Sequence, residues 1–487
     1  MRSGKQSFIA FLLAREKCST EDTDTFLLGA NYFIHFVMDT VETPQAEDAA
    51  RAARESYENV YARLLDLVQQ GRNLFITGGA GVGKSYTLNR LRDIYKDRLH
   101  VTSTTGISAI NVRGQTLHSW AGIGIADKSV ASIVRTIRRK PTHYKMLLCC
   151  KMLAIDEISM LQGRLLDYVN KVLKQVRESP EPFGGIQVLF FGDYFQLPPV
   201  GKDRKKKDFC FNSAAWKELA PVPVLLKDVL RQADKSFADA LNMVRVDEAG
   251  ARHLRLFYER DVPYNQEVPD DVLRIFATNG QADAHNKNCF EALPGKVHTY
   301  EARDYFYTYT PEGAPVVNSL EELVQRELAI ALEELKEFND QCKAPERLEL
   351  KEGARVMLLR NLDVAKGLAN GSCGTVRGLT KHSVCVDFDN GVSRYIEPEE
   401  FEYIKAGQTR LIRKQYPLRL AYGITIHKSQ GMTYDRLLVD FGRIFDYGQA
   451  YVALSRTRAL EGLIIKGFDH NKIVANREVK EFYAHLE

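Results

Sequence analysis

Residues Gly78 to Ser85 read Gly-Gly-Ala-Gly-Val-Gly-Lys-Ser, and their flanks restrict what they can form. Ahead of them Leu74-Phe75-Ile76-Thr77 is an apolar run short enough to be a buried strand. Behind them Tyr86 to Arg98 carries Leu88, Leu91 and Ile94 at helical spacing. A strand, a glycine turn and a helix N-terminus in succession suit phosphate binding. Glycines let backbone N–H groups close on the phosphates, and the helix dipole favours negative charge. The spacing fits Gly-x-x-x-x-Gly-Lys-Ser, so Gly78, Gly79, Ala80, Gly81, Val82, Gly83, Lys84, Ser85 and Tyr86 are candidate nucleotide contacts. Lys84 would reach the terminal phosphates, and the Ser85 hydroxyl would take one Mg position. The plainer reading, a glycine-rich turn with an incidental lysine, leaves the flanking strand and helix unexplained.

The chain has 487 residues, room for roughly three domains. It is 45% hydrophobic and 27% charged, which is the balance of a globular protein and not of a disordered one. A net charge of only +4 means that nucleic-acid affinity would have to come from local basic surfaces. Eight cysteines lack any Cys-x-x-Cys spacing, against a zinc module or a secreted disulfide framework, so an intracellular protein with reduced thiols is expected. No apolar stretch approaches the ~20 residues that span a bilayer. Arg2, Lys5 and Arg15 surround the apolar Phe8 to Ala14, which reads as a docking helix or a weak targeting segment.

Residues 1–50 carry no interpretable motif and are treated as an N-terminal extension. A first α/β domain is expected over 51–220, with a small basic insert at about 122–146. Its second strong signal is Met152-Leu153-Ala154-Ile155-Asp156-Glu157, an apolar strand ending in two carboxylates. Asp156 would hold Mg, and Glu157 would accept a proton from an attacking water. The strand Ile186 to Phe191 likewise runs into Gly192-Asp193-Tyr194-Phe195-Gln196, where Gln196 is placed to sense a γ-phosphate.

Thr105, Gly106, Thr116 and His118, on loops that follow a strand, suit contact with phosphate or sugar oxygens, and Trp120 could stack on a base. Each also has a structural reading as a turn, a cap or a core tryptophan. The cluster Arg135, Arg138, Arg139 and Lys140 and the basic loop from Lys202 to Lys207 are either solvated surface or backbone-contacting patches.

A second α/β domain is expected over 221–345 and 414–487. Its amphipathic helix carries Phe237, Ala240, Leu241 and Val244, and Ser319 with Glu322 forms a capping box for a helix over 320–338. From 346 to 413 the period switches to two with glycine punctuation, as short strands of a small β-barrel would.

The series of Gly-Lys-Ser, Asp156-Glu157, Gly192-Asp193-x-x-Gln196, Arg231-Gln232, His427-Lys428-Ser429-Gln430-Gly431 and Ala453-Leu454-Ser455-Arg456 resembles the superfamily-one helicases. More narrowly, Gly192 to Val200, Ile426 to Thr433 and Gly448 to Arg456 resemble the petite-integration-frequency (Pif) DNA helicases, from about residue 55 to the C-terminus. The resemblance implies an α/β fold of two RecA-like motor domains with ATP and Mg between them, and a small barrel in the second. It implies 5′-to-3′ unwinding on single-stranded and forked DNA, with G-quadruplex DNA a further candidate substrate, by a monomeric chain. Residue by residue, it points to Arg231 and Arg456 as guanidinium groups reaching the γ-phosphate, beside Lys84, Glu157 and Gln196. It also points to Thr116, His118, Thr425, His427 and Lys428 as DNA-side contacts. Two positions depart from the family: Tyr61 stands near its adenine-contacting glutamine, with Asn59 an alternative, and Tyr422 stands at its usual tryptophan. An ATP-gated DNA-binding protein without unwinding, or a motor subunit of a larger nuclease complex, are the competing functions.

Overall fold

The structure is a computed structural model. It describes residues 44–486 apart from 106–107, 110–111, 113, 125, 127, 200, 202–206, 228–233, 270–271, 310–314, 320–337, 340–341, 343, 364–365, 367, 369 and 405–409. Residues Asn59–Glu487 form one compact unit. Of the preceding unit, Met1–Glu58, the start of the helix Pro44–Gln69 is described. The N-terminal extension, the helix over 320–338 with its capping box, and the loop Lys202 to Lys206 lie largely outside the described residues, as do Gly106 and Arg231.

The first parallel sheet runs, edge to edge, Gln115–Thr116, Leu99–Ser103, Met152–Asp156, Gln187–Gly192, Leu74–Thr77 and Val222–Leu225. The strand before the glycine turn is buried along its whole length, with Leu74 paired to Leu189 on one side and Val222 on the other. That explains its unbroken apolar composition, since a parallel strand is covered on both faces. Helix Gly163–Val176 packs Leu166, Val169, Val172, Leu173 and Val176 into this core, as the leucine and valine spacing predicts. Ile94 departs from expectation. It shares a helical repeat with the buried Leu88 and Leu91, yet is 53% exposed in the last turn of the helix Lys84–Tyr95.

The second parallel sheet runs Gly423–Thr425, Leu273–Phe276, Leu437–Asp440, Leu463–Lys466 and Asp261–Val262. Phe237, Ala240, Leu241 and Val244 of the helix Lys235–Arg245 are buried in its core. The chain then crosses back. Its last helix, Arg477–Ala484, buries Val479 and Tyr483 in the core of the first sheet, and the Phe482 ring stacks on Phe211 with centroids 4.3 Å apart.

Antiparallel pairing occupies more of the chain than the period-two stretch at 346–413. It begins at the strand His298–Glu301 and ends at Leu418–Leu420. Arg303–Tyr309 pairs with Arg410–Gln415, a partner more than a hundred positions away that no local periodicity reveals. Five strands, Ser393–Ile396, Val384–Phe388, Cys373–Leu379, Arg355–Leu358 and Leu418–Leu420, form one sheet with its own core around Leu350, Val356 and Val386. Among the described residues its two edge strands do not pair, so the sheet is open where a barrel was expected.

Candidate active site

The glycine turn needs its glycines. Gly78 has φ +150°, and a Cβ there would stand 2.2 Å from the Leu226 carbonyl oxygen. Gly83, left-handed at φ 90°, opens the helix that begins at Lys84. Lys84 Nζ donates to the carbonyls of Gly78 at 2.7 Å and Gly79 at 2.8 Å, so the cation curls back over its own loop. Burial lowers its proton affinity, an effect that the carboxylates of Asp193 and Glu157 partly offset. Ser85 is exposed at the start of the helix and Tyr86 is half-buried. Val82 is buried, and the Ala80 amide donates to the Tyr451 hydroxyl at 2.6 Å. Tyr451 belongs to the helix Gln449–Leu454 in the core of the second sheet, so the two sheets meet at the glycine turn.

The carboxylates stand at the end of a strand buried throughout, Met152–Asp156. Glu157 turns the chain with left-handed backbone angles, φ 54° and ψ 45°, which are unusual for a residue with a side chain. The neighbouring strand end braces this turn: Ser103 Oγ donates to the Asp156 carbonyl at 3.2 Å, and Thr104 Oγ1 to that of Glu157 at 3.0 Å. Both carboxyls hold their protons more tightly than usual. For Asp156 the cause is burial and then the charge of Glu157; for Glu157 it is burial, partly offset by Lys84 and Arg456. Such a pair favours a nearby cation. Among the described residues no group of three or more His, Cys, Asp or Glu could hold a metal by itself. A divalent ion here fits only if Ser85 and Asp156 hold it with phosphate oxygens and water, which is how Mg is commonly bound.

Lys84 and Arg456 act on Glu157 through their charge, and Gln430 through a hydrogen bond. Gln430 Nε2 lies 3.0 Å from Glu157 Oε2 and 3.5 Å from Gln196 Oε1. Arg456 is fully buried, donating to the carbonyls of Val452 (2.8 Å) and Met432 (3.2 Å) and to Ser455 Oγ (2.8 Å). Its charge is opposed by burial and favoured by Glu157. Gly448 makes the approach possible: a Cβ there would lie 2.4 Å from the Gln196 carbonyl oxygen.

Asp193, fully buried, receives a two-pronged bond from Arg245, with Nε 2.9 Å from Oδ2 and a terminal nitrogen 2.8 Å from Oδ1. The guanidinium lies 4.5 Å from the centre of the Phe195 ring and 5.1 Å from that of Tyr483. Burial alone would weaken its charge, and the Asp193 carboxylate outweighs that and raises its pKa. The Tyr483 hydroxyl stands 2.5 Å from Thr77 Oγ1 and 3.4 Å from Asp193 Oδ1.

The expected nucleic-acid contacts divide. Thr105 Oγ1 bonds Ser108 Oγ at 2.5 Å. Thr116 caps the helix Leu117–Ala121 through the Ser119 amide, and Thr425 caps Ile426–Ser429 through the Lys428 amide, so these hydroxyls serve local turns. His118, His427 and Lys428 are half-buried, and burial lowers the proton affinity of each. Trp120 is corrected. It is fully buried and its Nε1 donates to His100 Nδ1 at 2.9 Å, so its ring belongs to the core and has no face for a base. Lys207, from the basic loop, is also buried and pairs with Asp446 at 2.8 Å.

Residues 53–247 match the family model for PIF1-like helicases, and residues 333–379 match that for the 2B domain of the DNA helicase Pif1. The ATP-dependent DNA helicase PIF1 of Xenopus laevis is 36% identical over 431 residues, covering 87% of this chain and 63% of that protein. The crystal structure of Pif1 helicase from Candida albicans is 33% identical with a TM-score of 0.71, covering 88% of this chain and 99% of that one. The chain belongs to the PIF1-like helicase family. A Bacteroides Pif1 structure in complex with ADP-AlF3 and single-stranded DNA is 29% identical with a TM-score of 0.61, over 87% of this chain and 96% of that one.

Within this PIF1-like chain, three site residues escaped sequence reading. Arg245 ends an amphipathic helix and looked like an ordinary basic residue of a last turn. Tyr451 sits inside a recognised motif, but nothing local says that its hydroxyl reaches Ala80. Tyr483 lies beyond every motif. Its only signal was an aromatic pair, Phe482-Tyr483, in a polar terminal helix.

Proposed function

We propose that this chain is an ATP-dependent 5′-to-3′ DNA helicase that moves on single-stranded DNA and opens duplex or structured DNA. The observation that carries the reading is the meeting of Lys84, Glu157 and Gln196 from the first sheet with Gln430 and Arg456 from the second. Hydrolysis needs a cation on the phosphates, a base for the water and positive charge for the transition state. Here those groups are divided between two elements, so turnover is complete only when both are in position. That division ties each hydrolysis event to motion of one sheet against the other.

Lys84 leaves the carbonyls of Gly78 and Gly79 to hold the β- and γ-phosphates. Glu157, its proton affinity raised by burial, takes the proton of the attacking water. Gln196 and Gln430 orient the water and link it to the second sheet, and Arg456, together with Arg231, neutralises the developing charge. A bound Mg would supply Lewis-acid stabilisation of the phosphate oxygens, held through Ser85 and Asp156.

The antiparallel insert acts as a small barrel-like accessory of the second motor, in keeping with its separate apolar core. His118, His427 and Lys428 contact the strand, a reading in keeping with the single-stranded DNA in the complex of the Bacteroides relative. Forked and G-quadruplex DNA are further substrates, the working form is a monomer, and the setting is intracellular. The test is strand displacement on duplexes carrying a 5′ tail, a 3′ tail, a fork or a G-quadruplex. Unwinding from the 5′ tail alone is expected. Unwinding only from a 3′ tail would overturn the polarity, and DNA-stimulated ATPase without unwinding would make the chain an ATP-gated DNA-binding protein.

A further inference from the structure

The seam between the five-stranded antiparallel sheet and the second parallel sheet carries two cations with little to balance them. Arg419 lies on the strand Leu418–Leu420, paired across to Met357 in the antiparallel sheet. The chain then enters the second parallel sheet at Gly423 and turns into Ile426–Ser429, which carries Lys428. The cap from Thr425 to the Lys428 amide fixes the direction of that turn.

Arg419 Nε is buried without a hydrogen-bond partner. Among the described residues no carboxylate lies at ion-pair distance from its guanidinium. Its surroundings include the buried Tyr434 and the half-buried Cys373. Burial weakens the charge on both Arg419 and Lys428, and Arg419 further opposes that of Lys428. The acid that acts on both is Asp283, on the exposed side of the helix Asn279–Ala292.

A guanidinium has five donors and no acceptor, and a desolvated cation beside another like charge is unfavourable unless an anion joins them. We propose that Arg419 and Lys428 together grip a backbone phosphate of the DNA strand where it passes this seam. The proposal deepens the DNA-helicase reading and rests on it. Lys428 stands in a recognisable motif; Arg419 stands in none, and adds a phosphate contact from the insert side. Because Arg419 stands on the antiparallel sheet and Lys428 on the short helix after the second sheet's strand Gly423–Thr425, the strength of the grip depends on how the insert sits on the second sheet.

The test uses the full chain with a fluorescent oligo-dT strand, titrated over a range of salt concentrations, for wild type, Arg419→Gln and Arg419→Lys. Arg419→Gln should weaken binding about threefold or more and reduce the log–log salt slope by about 0.7, the loss of one single-strand phosphate contact. Arg419→Lys, which keeps the charge, should retain the slope. The melting temperature of Arg419→Gln without DNA should equal or exceed that of wild type, since a repulsion with Lys428 is removed. An unchanged slope in Arg419→Gln, with or without a lower melting temperature, makes Arg419 a packing residue and overturns the proposal. If inorganic phosphate stabilises wild type but not Arg419→Gln while oligonucleotide affinity is equal in both, the seam holds a free anion and the strand assignment falls. A wild-type chain that binds no oligonucleotide overturns the helicase reading itself.

Discussion

Gln430 reaches Glu157 across 273 positions of sequence, its amide nitrogen 3.0 Å from the carboxylate oxygen. The carboxylate proposed as the base is therefore held by a side chain from the part of the chain that carries the second sheet. Glu157→Gln should keep nucleotide affinity and slow turnover by a few orders of magnitude, the scale of removing a positioned base. Gln430→Ala should lower turnover less, and should reduce the stimulation of ATPase by DNA more than the unstimulated rate. Steady-state ATPase with and without oligo-dT measures both; normal turnover in Glu157→Gln would remove it as the base.

Arg456 is bound to four groups of its own sheet, so its removal has two effects that must be separated. Arg456→Ala should lower kcat far more than ATP affinity, since its proposed role is to neutralise charge in the closed state. It should also destabilise the fold, whereas Arg456→Lys should keep much of the stability and still lose turnover. The same kinetic pattern is expected of Arg231→Ala. A pure loss of affinity at unchanged maximal rate would end the transition-state role of either residue.

Arg245 and Asp193 form a buried pair between a second-sheet helix and the loop that carries Gln196. Removing one partner leaves a buried charge, which costs about 3–5 kcal/mol. Arg245→Ala and Asp193→Asn should each lower the melting temperature, and the double variant should lose less than the sum of the two. Additive losses in that cycle would show that the pair is not coupled.

Tyr61 is buried, with the Arg90 guanidinium 3.7 Å from its ring centre, so its ring face is already covered. A tyrosine offers no amide to pair with adenine at two points, and such a contact is worth about 1–3 kcal/mol of base discrimination. GTP, and pyrimidine triphosphates with it, should therefore be used within about tenfold of the ATP rate. The measurement is kcat/KM for the four triphosphates on wild type and Tyr61→Gln. A strong ATP preference in wild type, unaltered by the substitution, would mean that adenine is read elsewhere, with the exposed Asn59 the first position to test.

The basic helix Val130–Arg138 presents Arg135 and Arg138 to solvent, with Arg139 and Lys140 following. Arg138 already pairs with Glu178 at 2.7 Å, an exposed bond that contributes little. Neutralising all four cations should weaken DNA binding and flatten its salt dependence. An unchanged salt slope would assign the cluster to plain solvated surface.

The sequence by itself determined the parts whose chemistry is local. The glycine turn needs positive φ at Gly81 and Gly83 and close backbone approach at Gly78, and glycine alone tolerates both. Asp156 and Glu157 follow a strand whose apolar run is itself the signal. What only the tertiary structure decided is pairing over distance. Tyr451 meets Ala80, Tyr483 meets Thr77, and Arg245 meets Asp193 because two sheets and a returning helix pack together, not because of any spacing between them. Trp120 is the converse case, a residue type suited to stacking on a base that packing consigned to the core. The described strands within the barrel expected at 346–413 are divided between two sheets for the same physical reason. Strand alternation records which face is buried, whereas the partner of Arg303–Tyr309 is set by hydrogen bonds to Arg410–Gln415, which alternation does not encode.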